Sequence, residues 1–131
     1  MITDSRVEAN IPAADLQRAR KFYADKLGLQ PVAEHGGQAL EYRMASGTAF
    51  NIYVTQHAGE AGHTIAQWHV KDLTAEVRDL KSRGVAFEVY DDMPGVQWSG
   101  EIASMPEMGR AAWFKDSEGN IMCLDEPAPA H

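Results

Sequence analysis

Glu8 and Asn10 share one face of a strand predicted over residues 6–11, because polar and apolar side chains alternate along RVEANI. A carboxylate on such a face can act as a general base or bind the N–H groups of a ligand. A neighbouring arginine, Arg43 or Arg110, is the alternative partner that would make Glu8 purely structural. Glu8 is therefore the residue on which chemistry is most expected, with its partner left open.

A second strand with a polar face is predicted at TIAQWHV, residues 64–70. Gln67 and His69 fall on one side of this strand together with Ile65, whereas Trp68 falls on the other side. A histidine near a strand end can act as an acid, although a solvated or hydrogen-bonded surface histidine is the more frequent case. The strand therefore adds polar groups that could line a binding site.

These strands belong to a pattern that occurs twice. One predicted helix starts after Pro12 at Asp15 and ends at Gly28, and another runs from Asp72 to Gly84. Strand-like segments follow each helix, so each half of the chain has the order βαβββ. A unit this short cannot bury its own apolar face, so two copies must pack into one α+β domain.

The predicted first module spans about 5–56 and the second about 63–126, within one domain that covers 1–131. The second module is longer, and its extra residues fall in 91–109, a stretch rich in glycine and proline. Long loops of this kind are usually functional, and the methionines around Trp98 predict a lid-like loop over a binding site. The last residues, EPAPAH, are predicted to form a frayed tail.

Charge and cysteine usage exclude several classes of function. The formal net charge is −7, with 19 acidic and 12 basic residues, so neither nucleic acid nor an anionic membrane is an expected partner. The first fifteen residues lack the apolar core of a signal peptide, and no apolar run approaches about 20 residues. The single cysteine, Cys123, excludes an internal disulfide and cysteine-clamped zinc, so we expect a cytoplasmic protein.

Three motifs appear in a fixed order: the helix DLxRARxFYxxxLGL, the helix DLxxxVxxLKxRGV and the turn FKDSEGN. Together they resemble the vicinal oxygen chelate superfamily, which includes glyoxalase I, extradiol dioxygenases, fosfomycin-resistance enzymes and bleomycin-binding proteins. The resemblance covers residues 6–126 and implies a glyoxalase-like fold, in which two βαβββ modules form curved mixed sheets around a central pocket. It also implies a homodimer and leaves the reaction open, because members of one fold perform different chemistry.

In the metal-using members, the resemblance places ligands at the positions of Glu8, Ile65 and Cys123. A divalent ion needs about three or four protein donors, and Ile65 has no donor atom. His63 and Gln67 flank Ile65, but a step of two residues along a strand moves a side chain by about 6.6 Å. We therefore expect no metal and no other cofactor.

The remaining pocket lining follows from the resemblance and from strand alternation. Polar and aromatic side chains dominate it, which suits a neutral or cationic organic molecule with a surface for stacking. The predicted ligand-binding residues are Asn10, Asn51, Tyr53, Ile65, Gln67, His69, Trp98, Trp113 and Cys123.

Three functions remain open. The first is a metal-independent binding protein for a small organic molecule, similar to the sequestering drug-resistance members of the superfamily. The second is a lyase, isomerase or epimerase in which Glu8 is the catalytic general base and His69 or Tyr53 is the acid. The third is a metal-dependent dioxygenase or glyoxalase with an off-pattern cage formed by Glu8, His63 or His69, and Cys123.

Overall fold

The computed structural model describes residues 1–128 and contains the predicted βαβββ order in the first module and, with two added strands, in the second. A short 3₁₀ helix at Ile2–Asp4 precedes the first module. The first module consists of β1 (Ala9–Ala13), α1 (Leu16–Leu27), β2 (Ala33–His35), β3 (Ala39–Arg43) and β4 (Ala49–Val54). The second consists of β5 (Thr64–His69), α2 (Leu73–Ser82), β6 (Phe87–Glu88), β7 (Gln97–Ser99), β8 (Ile102–Met105), β9 (Gly109–Lys115) and β10 (Ile121–Pro127). The α+β prediction is confirmed.

The two sheets have the same internal plan. The first has the strand order β1-β4-β3-β2, and the second has the order β5-β10-β9-β8-β7 with β6 also paired to β9. In each sheet the strand before the helix pairs in parallel with the last strand of the module, and the remaining pairs are antiparallel. β1 and β5 lie at sheet edges and approach one another, so the modules meet along these two strands.

Both helices begin at the predicted aspartates, and α1 ends at Gly28 as predicted, whereas α2 ends at Ser82, two residues before Gly84. The Asp15 carboxylate accepts a hydrogen bond from the Arg18 N–H at 3.0 Å, and Asp72 caps the other helix in the same way. Gly28 ends α1 in the left-handed conformation, with φ of 71°. One stripe of each helix is buried against its sheet: Leu16, Ala19 and Tyr23 in α1, and Leu73, Val77 and Leu80 in α2.

The first strand is displaced from its predicted position. It runs over Ala9–Ala13, three residues later than predicted at its start, and Val7 is 90% exposed. Pro12 lies inside this strand and does not mark the start of the helix. A proline is tolerated there because β1 is an edge strand, so the missing N–H breaks no hydrogen bond between strands.

The segment 91–109 contains more regular structure than the predicted lid-like loop. β7 and β8 pair as an antiparallel hairpin that continues the second sheet beyond β9. Gly109 ends the segment at φ of 109°, and a Cβ there would lie 2.2 Å from the Glu126 carbonyl oxygen. The start of β9, to which the hairpin is paired, therefore lies close against the backbone of β10. Of the predicted tail, Glu126 and Pro127 belong to β10, whereas residues 129–131 lie outside the described part of the chain.

A single apolar core lies on the helix-facing sides of both sheets. Tyr42 stacks on Phe50 with ring centroids 4.9 Å apart, and Phe50 contacts Trp68 of the other module edge-on at 6.0 Å. The modules therefore share their core. No helix within residues 1–128 is long and apolar enough to cross a membrane.

Buried polar side chains also join the modules. The turn between β9 and β10 carries Asp116, Glu118 and Asn120, which are at most 7% exposed. The hydroxyl of Tyr23 donates to Asp116 at 2.8 Å, and the side-chain amide of Asn120 donates to the Pro12 carbonyl at 2.8 Å. Because burial of a polar group is costly without a partner, these bonds fix the turn against the first module.

Glu118 makes the densest contacts of this turn. Its carboxylate accepts the backbone N–H groups of Ala14 and Asp15, both at 2.9 Å, and two hydrogen bonds from Arg18 at 2.8 and 3.0 Å. Burial acts to raise the pKa of Glu118, but the hydrogen bonds from Arg18, Asp15 and its other donors outweigh burial and lower the pKa to about 2.

We predict that the free energy of unfolding falls as the pH drops from about 4.5 towards 2. The folded pKa of Glu118 is depressed from its ordinary 4.5, so its contribution is complete above that value and is lost on protonation. The difference corresponds to about 3 kcal/mol. Urea unfolding between pH 2 and 7 measures it: Glu118→Gln should lower stability at pH 7 and flatten the pH dependence. Exposed Glu60→Gln is the matched control, and an unchanged pH slope in Glu118→Gln would contradict the assignment.

Candidate functional site

Each sheet has one side covered by the helices and core and another without helices, here called its helix-free face. On the helix-free face of the first sheet, Asn10, Asn51 and Glu41 are neighbours across three strands. The Asn51 amide donates to Glu8 Oε2 at 3.1 Å, and Arg6 donates to Glu8 Oε1 at 3.3 Å. Both oxygens of the predicted catalytic carboxylate therefore have a partner within the first module.

The alternative partners suggested for Glu8 pair elsewhere. Arg43 contacts Glu41 at 3.2 Å, and Arg110 contacts Glu126 at 2.9 Å. Tyr53 lies on the same sheet as Asn10 and Asn51 and is 40% exposed. The structure thus brings Glu8, Asn10 and Asn51 together as predicted and leaves Tyr53 open to solvent.

β5 contains an irregularity beside the predicted residue Ile65. Thr64 pairs with Ile121 and Ala66 with Met122, so Ile65 is passed over in the register between β5 and β10. The indole N–H of Trp113 donates to the Thr64 hydroxyl at 3.2 Å, and Ile65 packs against the main core. The bulge takes Thr64 out of simple alternation, since Thr64 contacts Trp113 on the helix-free face, while Ile65 contacts the main core.

The helix-free face of the second sheet is filled by the protein's own side chains. Trp98 and Tyr90 lie against Trp113 at 5.9 and 5.8 Å between ring centroids. Trp113 is 9% exposed and Cys123 is 4% exposed. Apolar side chains from the segment before β9 complete this aromatic cluster: Met93, Val96 and Met105. Trp98, Trp113 and Cys123 are therefore brought together as predicted, but they are packed against each other and do not line an open wall.

Cys123 has the properties of an inert thiol. Burial, and next the nearby Asp125, raise the pKa of Cys123 to about 12, so it is protonated at neutral pH. Its Sγ lies 3.5 Å from the Leu124 carbonyl oxygen.

We expect the Cys123 thiol to react slowly with a disulfide reagent such as 5,5′-dithiobis(2-nitrobenzoate) at pH 8. Reaction in concentrated urea should be fast, because unfolding exposes the thiol and restores its ordinary pKa. The single cysteine allows direct spectrophotometry. Native protein that reacts at the rate of the unfolded chain would contradict the buried position.

His69 lies beside an acidic residue of the next strand. Its Nδ1 is 2.6 Å from Asp125 Oδ1, and the two residues are register partners on β5 and β10. The contact is close but poorly directed, and Asp125 Oδ1 receives no well-aligned hydrogen bond from residues 1–128. His69 is 65% exposed, whereas Asp125 is 17% exposed. The pair therefore presents a polar edge with a buried carboxylate oxygen.

An open cleft lies where the modules meet, and we call it the seam cleft. It has a volume of about 670 Å³ and runs between β5 and the turn from β3 to β4. Its lining is Ala9, Met44, Ser46, Thr48, Ala49, Phe50, Ile65, Ala66, Gln67, Trp68 and His69. Of the predicted residues it contains Ile65, Gln67 and His69. Asn10, Asn51 and Tyr53 lie outside this lining, as do the residues of the aromatic cluster.

Sequence reasoning missed Phe50 and Trp68 as cleft residues. Alternation correctly assigns both to the helix-facing sides, where they contact each other at 6.0 Å. They border the cleft because β5 is an edge strand whose two sides are both accessible at the seam. No local signal in the sequence reports such an edge, since it depends on how the modules pack.

The donor set at the superfamily's metal positions does not fit a divalent ion. Ile65 supplies only hydrocarbon, and the Cys123 thiol is enclosed in the aromatic cluster. Within residues 1–128, no three side chains of His, Cys, Asp or Glu are grouped so as to hold a metal. The off-pattern set of Glu8, His63 or His69, and Cys123 is therefore not gathered into a cage.

Comparisons with known proteins agree with this architecture. A family model described as Glyoxalase/Bleomycin resistance protein/Dioxygenase superfamily matches residues 6–124. A bleomycin-binding protein complexed with bleomycin has a TM-score of 0.69 and 18% identity, covering 95% of this chain and 99% of that chain. A comparison with curated protein sequences finds no significant match.

Two further solved structures illustrate the functional range of the fold. TnmS3, an antibiotic binding protein from Streptomyces sp. CB03234, has a TM-score of 0.65 and 20% identity, covering 98% of this chain and 99% of that chain. The fosfomycin resistance protein FosX from Listeria monocytogenes, complexed with Mn(II) and a phosphonic acid, has a TM-score of 0.64 and 15% identity, covering 95% and 91%. At these identities the likeness shows the fold.

Proposed function

The chain belongs to the glyoxalase/bleomycin resistance protein/dioxygenase superfamily, and on that premise we propose that it is a metal-independent small-molecule binding protein. Its ligand is a neutral or cationic organic molecule, held in the seam cleft. A homodimer and a cytoplasmic location, which the sequence predicts, belong to the same proposal. The antibiotic- and bleomycin-binding proteins of the same fold support a binding role.

The seam cleft is the observation that carries this proposal. Its volume of about 670 Å³ falls within the roughly 300–1,000 Å³ typical of small-molecule pockets. Phe50 and Trp68 provide aromatic surface, while Gln67 and His69 provide a few polar groups. This combination of apolar walls and sparse hydrogen-bonding groups suits an organic molecule with a flat part.

Charge supports a neutral or cationic ligand. The chain has a net charge of −7, and Asp125 lies beside His69 at the edge of the cleft. The cleft lining includes no lysine or arginine that would pair with a phosphate or carboxylate. An anionic ligand would therefore enter a negative field with no matching cation.

Metal independence is supported by the chemistry of the donor set. Where the superfamily resemblance expects the second metal ligand, Ile65 presents an aliphatic side chain packed against the core. The third position is Cys123, which lies under Trp113 and its neighbours. A cage of about three protein donors would require a rearrangement of β5 and of the aromatic cluster together.

The contacts of Glu8 favour a binding function over an enzyme in which this carboxylate abstracts a proton. Arg6 and Asn51 each hold one of its oxygens, so its hydrogen-bonding capacity is already partly used within the protein. A Glu8→Gln substitution separates the roles, because a lyase, isomerase or epimerase that used this base would lose turnover and keep binding.

We predict that Trp68 reports ligand binding. In the double variant Trp98→Phe/Trp113→Phe, Trp68 is the single indole, and N-methylquinolinium and quinoline should quench its fluorescence saturably. Quinoline-2-carboxylate should bind about tenfold more weakly, which corresponds to about 1.4 kcal/mol. Trp68→Phe, which keeps the other two indoles, is the matched control. Saturable quenching confined to Trp68→Phe would place the ligand elsewhere and contradict the seam cleft.

We also expect protein purified without chelator to carry no stoichiometric metal. Elemental mass spectrometry should find less than about one tenth of an equivalent of Mn, Fe, Ni or Zn, because two of the three expected ligand positions offer no available donor. Added Mn(II) should leave the melting temperature unchanged, whereas a specifically bound ion would raise it. One bound equivalent that shifts the melting temperature would overturn metal independence.

A further inference from the structure

Two polar atoms on the helix-free face of the second sheet are buried without a hydrogen-bond partner from residues 1–128. They are the Tyr90 hydroxyl and Asp125 Oδ1. A third atom of this kind, the Tyr42 hydroxyl, lies in the main core. An unsatisfied buried donor or acceptor costs about 1–3 kcal/mol, so two of them on one face of a sheet require an explanation.

The two atoms stand on either side of a flat apolar patch. Asp125 and Cys123 are two residues apart on β10, so their side chains share a face about 7 Å apart. Cys123 is the register partner of Trp113, and the Tyr90 ring packs edge-on against Trp113 at 5.8 Å and 80°. Asp125, Cys123, Trp113 and Tyr90 therefore form a continuous path across the sheet.

The electrostatic surroundings agree with this placement. Burial raises the pKa of Tyr90, and the nearby Glu88 and Cys123 add to the effect. Asp125 makes no ion pair with a lysine or arginine in the described part of the chain, and its contact is with His69. The nitrogen beside Asp125 Oδ1, His69 Nδ1 at 2.6 Å, is poorly directed for a hydrogen bond, and the Tyr90 hydroxyl has no acceptor in the described part of the chain.

We propose that Tyr90 and Asp125 determine the specificity of the binding site. They recognise a flat organic molecule with an amine or amidine at one end and a carbonyl or ether oxygen at the other. The nitrogen donates to Asp125, the oxygen accepts from Tyr90, and the ring lies over Cys123 and Trp113. Met93, Val96 and Trp98 pack over this patch in the free protein, so entry of the ring requires that they be displaced.

This assignment rests on the proposed function and extends it. His69 borders the seam cleft and contacts Asp125, so the recognised nitrogen lies at the end of the cleft. The rest of the ligand can then occupy the cleft beside Trp68. Quinoline compounds test binding in the seam cleft, and benzamidines test recognition by Tyr90. Either proposal can therefore be disproved without the other.

The first test uses the protein without ligand. Tyr90→Phe should leave the melting temperature unchanged or raise it, because the substitution removes an unsatisfied hydroxyl. Tyr23→Phe is the matched control and should lower it, since that hydroxyl donates to Asp116 at 2.8 Å. A fall for Tyr90→Phe equal to that for Tyr23→Phe would show that the Tyr90 hydroxyl has a partner in the protein and would overturn the proposal.

The second test compares two probes of nearly equal shape, 4-acetylbenzamidine and 4-isopropylbenzamidine, by NMR titration. Wild-type protein should bind the acetyl compound roughly five- to tenfold more tightly, as one added hydrogen bond allows. Tyr90→Phe should abolish this preference, whereas Asp125→Asn should weaken both probes and keep it. Tyr42→Phe, which removes the unsatisfied hydroxyl outside the site, should change neither affinity.

The results of the second test decide whether Tyr90 and Asp125 have the proposed roles. Equal affinity of the two probes for wild-type protein, or a preference that survives in Tyr90→Phe, overturns the role of Tyr90. Binding of both amidines that is unchanged in Asp125→Asn overturns the role of Asp125, and no binding of either probe overturns both. Saturable quenching of Trp68 by quinoline compounds alongside any of these results would leave the seam cleft in place as the binding site.

Discussion

The structure depends on a set of buried hydrogen bonds that joins the β9–β10 turn to the start of α1. Glu118 accepts the N–H groups of Ala14 and Asp15, and Asn120 donates to the Pro12 carbonyl. Asn120 Oδ1 also accepts the Gly59 N–H, where a Cβ would lie 2.7 Å from the Glu118 carbonyl oxygen. Such bonds are directional, so they fix the relative position of the modules in a way that an apolar core alone does not.

The seam between the modules follows from this constraint. With α1 held against the second module, the edge strand β1 approaches the edge strand β5, and neither strand gains a second hydrogen-bonded neighbour. Both sides of β5 then contribute to one cleft, so Trp68 and Gln67 border the same space although they alternate along the strand. The position of the candidate site is therefore a consequence of module packing and does not belong to either module alone.

The two helix-free faces have diverged in chemistry although the modules share one plan. The first carries Glu8 and Asn51 as a hydrogen-bonded pair, whereas the second carries Trp113 and Cys123 beneath the segment before β9. Position by position, Glu8 corresponds to Ile65, so a carboxylate in one module is matched by an aliphatic residue in the other. This asymmetry is compatible with an organic ligand that has distinct polar and apolar parts, and it is incompatible with a symmetric set of metal donors.

The modules could be predicted from the amino-acid sequence because helix caps and the spacing of apolar residues act between neighbours along the chain. Asp15 and Asp72 cap helices through their own backbone neighbours, and the apolar period that follows marks the buried stripe, so helix bounds and the βαβββ order needed no tertiary information. Tertiary structure alone decided the bulge beside Ile65, the hairpin within 91–109 and the cover over Trp113. A bulge, an added strand pair and contact between distant side chains depend on non-local pairing, which leaves no fixed spacing in the sequence.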